Sequence, residues 1–250
     1  MTETRAATGA RRLATSASII TALAAVLALG IGVFTPPRGG VLCTSGCIAY
    51  PYTDAAPFVA GDSVWIYPTI VMAIAFVALT ASLHQLAPPR GRPAGLLAMA
   101  LAVLAAGLLV GDYFVHLMVV MPSLARGEGA SVAAFSMYNG HGVFIALENA
   151  GYFVMGLAFF AVAGAIDRSS RLERAIRWVF LLAGILALSG LILLAVLFGA
   201  DLDVRYEVAA ISIDYLCLAL GGTLLAVLFR RPDTMRDRAN PATDDRDSRP

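Results

Sequence analysis

The stretch AIRWVFLLAGILALSGLILLAVLFGA, residues 175–200, decides the fold. It carries one charge, Arg177, near its start and is otherwise almost wholly apolar. It is longer than the roughly 20 residues that a helix needs to cross the hydrocarbon of a bilayer. Five more stretches pass the same test: Leu13–Phe34, Val64–Ala87, Ala94–Met121, His141–Ile166 and Tyr206–Phe229. Helix breakers or charges close them: Pro36-Pro37, Pro88-Pro89, Pro122, Asp167-Arg168, Asp201 and Arg230-Arg231-Pro232, in chain order. Backbone groups in hydrocarbon must bond within their own segment, so each run is expected to be a helix. Nothing alternates polar and apolar over ten-residue segments, which excludes a β-barrel. The expected fold is an all-α integral membrane protein, a bundle of six transmembrane helices.

Composition agrees. Of 250 residues, 59% are hydrophobic and only 14% charged, with a mean hydropathy of +0.77. A soluble domain carries about 25% charged residues. The runs leave room for one domain, residues 13–231, between an N-terminal arm (1–12) and a tail (232–250). The tail is rich in Asp and Arg, lacks aromatic residues and is expected to be disordered. The net charge of +1 argues against a nucleic-acid partner, which would need a basic patch. The partner that composition implies is the lipid bilayer. All 18 basic residues are Arg, a bias that fits a high-GC bacterium and hence its cytoplasmic membrane.

Arginine also sets orientation, because short cytoplasmic loops carry the positive excess. Arg5, Arg11 and Arg12 precede the first span; Arg90 and Arg92 follow the second. Arg168, Arg171, Arg174 and Arg177 follow the fourth, and Arg230 and Arg231 the sixth. The odd-numbered loops hold Arg38, Arg126 and Arg205, one each. Both termini are therefore expected in the cytoplasm. A basic arm before an apolar run also describes a signal peptide. The 22-residue run and Thr35-Pro36-Pro37, where a cleavage site should stand, favour a retained helix.

The loop of residues 35–63 then faces the oxidising side. It contains Cys43-Thr-Ser-Gly-Cys47, and Gly46 permits the turn that a local disulfide needs. A redox pair is the sharper reading, but its usual spacing is C-x-x-C. Cys217 stands alone within the sixth span as a small buried residue. Trp65 and Trp178 stand near span ends, where interfacial belt residues belong.

Ionisable residues within spans are costly and face the bundle interior or a wet cavity. On the expected topology Asp112 and His116 lie in the outer half of the third span, four apart and on one face. His141 opens the fourth, with Glu148 seven residues on and Tyr152 a turn deeper. Glu207 opens the sixth, with Asp214 seven residues on. Asp112, Glu148 and Asp214 are thus the candidate cavity acids, bases or proton carriers. Glu207 and His141 also read as solvated interfacial groups, and Asp112 as a salt-bridge partner of Arg126 or Arg205. Gly107-Leu-Leu-Val-Gly111 is expected to admit a close neighbour beside Asp112. Pro68, between Tyr67 and Thr69, is a candidate kink. In Tyr138-Asn-Gly-His-Gly, the two glycines read as a turn or helix entry.

Three functions fit. The cavity binds or translocates protons, ions or a small solute. Alternatively the chain is an enzyme using a carboxyl general acid on a lipid or isoprenoid among Tyr113, Phe114, Tyr152, Phe153 and Tyr215. A metal variant would use His116, His141 and a carboxylate. In the third, a subunit or assembly factor, the polar residues only lock helices together. No phosphate-binding glycine loop, nucleophile elbow or H-E-x-x-H motif is present, and no cofactor is specified.

Overall fold

The computed structural model describes residues 2–231, all of it helix, turn and loop with no strand among the described residues. The long helices are α1 (Thr2–Phe34), α2 (Ile66–Leu86), α3 (Arg92–Val115), α4 (Val143–Ala165), α5 (Arg171–Phe198) and α6 (Val204–Arg230). Among the described residues, six helical segments are long and apolar enough to cross a membrane, consistent with a multi-pass membrane protein. The expected tail disorder concerns 232–250 and lies outside the described residues. α1 begins at Thr2 and runs through the arm into the first span.

Each helix packs on its neighbours in sequence, and α6 closes the ring onto α1. α4 leans inward and also touches α6. Small residues set these contacts. On α1, Ala14, Ala17, Ala25 and Ala28 form a buried stripe, and Gly222 of α6 sits against the Ser18 carbonyl and the Ala22 methyl. On α3 the stripe is Ala98, Ala102, Ala105 and Leu109, with the Leu109 side chain against Gly151 of α4. Gly107 and Gly111 meet nothing within 4 Å, so the expected glycine seam turns outward and alanines make the interface instead. α5 is the least enclosed span, 22% buried over its most apolar window, and carries exposed Leu182, Ile192, Leu193 and Val196.

The helix ends follow local chemistry. Ser170 and Glu173 form a reciprocal capping box at α5, and the Asp203 carboxylate accepts from the Val204 amide at α6. Pro68 lies in the first turn of α2, where a missing N–H costs nothing, so the expected kink is absent and the helix is continuous. Pro122 does not close the third span. A π-helical turn, His116–Val120, intervenes, and helix resumes over Met121–Ala125 with the proline again in a first turn.

One end of the ring is roofed by residues 35–65 and 121–142. Ile48, Tyr52, Val59, Leu124, Val132 and Tyr138 form a second apolar cluster there. Gly39 lies so close to the Tyr138 backbone that an added Cβ would stand 2.1 Å from its carbonyl oxygen. Gly140 packs equally tightly on the Asp203 carboxylate, so the glycine-rich turn before α4 serves close approach. Cys43 and Cys47 are joined, and Cys217 is buried and free.

Candidate functional site

Beneath the roof, polar side chains from four helices meet. Tyr113 of α3 donates to Glu148 Oε1 of α4 at 2.6 Å. The Tyr113 hydroxyl also contacts that of Tyr152 at 2.6 Å, and Tyr152 contacts Tyr215 of α6 at 2.8 Å. Tyr215 meets Thr69 of α2 at 2.7 Å, and Thr69 donates to the Trp65 carbonyl at 2.9 Å. Glu148, Tyr113, Tyr152 and Tyr215 are essentially inaccessible to solvent. At the other end of this row Glu207 and Asp112 stand near enough to Glu148 for the three charges to interact. Among the described residues, Glu148 Oε2, Glu207 Oε2 and Asp112 Oδ2 are buried and meet no donor.

Glu207 and Tyr215 also line a crevice of about 260 Å³ between α1, α6 and the roof. Ala28, Leu29 and Val33 of α1 face Val208 and Ile211 of α6 across it. The spacing of four between 207, 211 and 215 places these residues on one helical face. Besides Thr35 and Ser212, the remaining polar lining is a cluster in the roof. Arg38 Nε donates to Asp62 Oδ2 at 3.0 Å, Tyr138 donates to the same oxygen at 2.9 Å, and the Arg38 guanidinium sits over the Phe58 ring. Burial, and then the Asp62 charge, hold the Tyr138 hydroxyl well above the usual tyrosine range. A separate cavity of about 40 Å³ at the opposite end, beside Leu83 and Phe229, shares no lining residue with the crevice.

His116 is fully buried, and its Nε2 lies 2.8 Å from Ser63 Oγ. Ser63 spends its hydrogen on the Val59 carbonyl at 2.6 Å, so Nε2 is assigned as the donor. Nδ1 then lacks a hydrogen and a partner among the described residues. His141 is exposed, and no three His, Cys, Asp or Glu side chains among the described residues stand together as metal ligands. Asp214 is fully buried with both oxygens unpartnered among the described residues, and it faces Tyr206, Tyr215 and Cys217.

The structure therefore brings Asp112 and Glu148 together, while Asp214, two turns along α6 from Glu207, does not line the crevice. Two readings change. Glu207 is a partner of Glu148 on the crevice wall and no mere interfacial charge. Asp112 pairs with neither Arg126 nor Arg205; the latter lies over the Phe198 ring and donates to the Asp201 carbonyl. Trp65 is likewise no belt residue, since it is 8% exposed and packs edge-on to Tyr113, whereas Trp178 is 58% exposed. Sequence reasoning missed Arg38, Asp62 and Ser63 as members of the site, and the spacing of four along Glu207, Ile211 and Tyr215 is the signal that could have found the crevice face. Compared with known proteins, the chain matches no family model, no curated protein and no solved structure.

Proposed function

We propose that the chain is a multi-pass protein of the bacterial cytoplasmic membrane, with both termini inside. In this reading it binds a small lipophilic solute in the crevice and takes up or gives off a proton there, at the outer leaflet. The arginine excess in the N-terminal arm and the even-numbered loops supports the orientation. The observation that carries the activity is the row Glu148–Tyr113–Tyr152–Tyr215–Thr69, which meets the crevice at its own member Tyr215 and, beside Glu148, at Glu207.

Hydrogens can be counted along this row. It contains five contacts, ending at the Trp65 carbonyl, and its four hydroxyls carry one hydrogen each. With Tyr113 donating to Glu148, one contact in the row lacks a hydrogen. A proton arriving on Glu148 supplies it, if each link reverses in turn and Glu148 becomes the donor. The row thus stores or releases one proton by reorienting hydroxyls, without moving a heavy atom.

The test is infrared spectroscopy of the reconstituted protein. A protonated-carboxyl band is expected that vanishes in Glu148→Gln and shifts in Tyr113→Phe. A spectrum that neither variant alters would overturn the reading. A second reading draws on Glu207 and Tyr215 sharing the crevice wall: an enzyme that adds a proton to one atom of a lipid or isoprenoid and removes one from another. A chemically altered lipid after incubation would favour it, and a lipid recovered unchanged would favour binding alone.

A further inference from the structure

Charge around the crevice is one-sided. Among the described residues its lining holds one cation, Arg38, already engaged by Asp62 and the Phe58 ring. Glu207 lines the same space, with Glu148 and Asp112 behind it and Asp203 on its own helix cap. Arg205 is turned away onto Phe198. Glu148 is 0% exposed, and its Oε2 meets no donor among the described residues. A carboxyl group so enclosed holds a proton or is met by a cation, because an isolated buried charge is prohibitive.

An inorganic ion fits poorly, since no set of three ligating side chains stands together among the described residues. A diffuse organic cation fits better. Trp65, Tyr138 and Tyr215 border the space with aromatic rings, which attract such ions. Leu29, Val33 and Ile211 supply apolar wall for its substituents. Resting on the reading of the crevice as a solute site, we infer that its occupant is a lipophilic cation of the quaternary ammonium or phosphonium type. Its charge is met by Glu207, and one O–H bond of the Glu207–Glu148 pair breaks, with the proton leaving to water. No other bond forms or breaks.

The probe is tetraphenylphosphonium, with tetraphenylborate as an anion of the same shape. Both are titrated into the reconstituted protein carrying Trp178→Phe, so that Trp65 is the only indole. Tetraphenylphosphonium is expected to quench Trp65 and to acidify a weakly buffered medium. Tetraphenylborate is expected to bind at least about tenfold more weakly, and Glu207→Gln to weaken the cation by a similar factor, as loss of a nearby unit charge requires. Glu207→Asp should restore most of the affinity. Equal binding of both ions, no binding of either, or cation binding indifferent to Glu207→Gln would overturn the inference. A brominated neutral detergent added to the same samples tests the underlying reading. If it quenches Trp65, the crevice admits lipophilic solutes whatever the ions do. If it does not, the solute site itself is refuted.

Discussion

Replacing Tyr152 by Phe removes one oxygen from the middle of the row and leaves the ring in place. Two contacts disappear, to Tyr113 at 2.6 Å and to Tyr215 at 2.8 Å, in a site with no access to solvent. Interhelical hydrogen bonds in membrane proteins average about 0.6 kcal/mol each. A buried group left without any partner costs about 1–3 kcal/mol. Tyr113 keeps Glu148, and Tyr215 keeps Thr69, so neither is fully orphaned. The expected loss is therefore about 1–2 kcal/mol, near the low end of these figures. Tyr206→Phe is the matched control, because its hydroxyl is buried and has no partner among the described residues, so its removal should cost nothing. Reversible unfolding in mixed micelles measures both variants. A double-mutant cycle with Tyr215→Phe should show coupling of at least about 0.5 kcal/mol. Equal stability of the two Phe variants, or additive losses in the cycle, would refute the row as a connected network.

Three further outcomes are expected. Gly39→Ala drives a Cβ into the Tyr138 carbonyl and should destabilise the roof by more than about 2 kcal/mol, while Gly107→Ala, in open space within a helix, should leave stability unchanged or raise it by up to about 1 kcal/mol in the same melts. The Tyr138 hydroxyl is pushed above its ordinary value of 10.0 by burial and by Asp62, so its contribution is complete below that pH and is lost as pH rises beyond it. Thermal melts should show an alkaline fall that is smaller in Tyr138→Phe, and an identical fall would contradict the assignment. With the native cysteines bonded or buried, Ser131→Cys should react with an impermeant maleimide on intact cells and Pro89→Cys only after lysis. The reverse pattern would invert the topology.

What the sequence discloses depends on which force places each residue. Lipid demands length and hydropathy whatever the packing, so the six spans are legible from runs such as residues 175–200. Glu148 and Asp112 stand out because a carboxyl group in an apolar run has no cheap explanation. Glu207 does not, since a carboxylate in the first turn of a helix reads equally well as solvated. Its meaning comes from α4 leaning inward, a tertiary fact. Arg38, Asp62 and Tyr138 come from loops without periodicity and meet only because the roof folds on itself. Trp65 is ambiguous for a similar reason: a tryptophan near a span end faces lipid or core according to a rotation that hydropathy does not encode. At Pro122 the expected stop fails because a wider turn upstream absorbs the missing N–H.

The position of the row has an electrical consequence. Glu207 and Tyr215, its two approaches from the crevice, are eight residues apart on one helix, or about 12 Å along its axis. A proton that enters at one and leaves at the other returns to the same side of the membrane. Over that circuit it crosses none of the membrane voltage, which supplies about 2.3 kcal/mol per charge per 100 mV only to charges that traverse it. On the proposed reading, a complete proton exchange through the crevice is therefore electrically silent. Depolarising the membrane should neither start nor stop it, and the acidity of the compartment beside the crevice would set its direction.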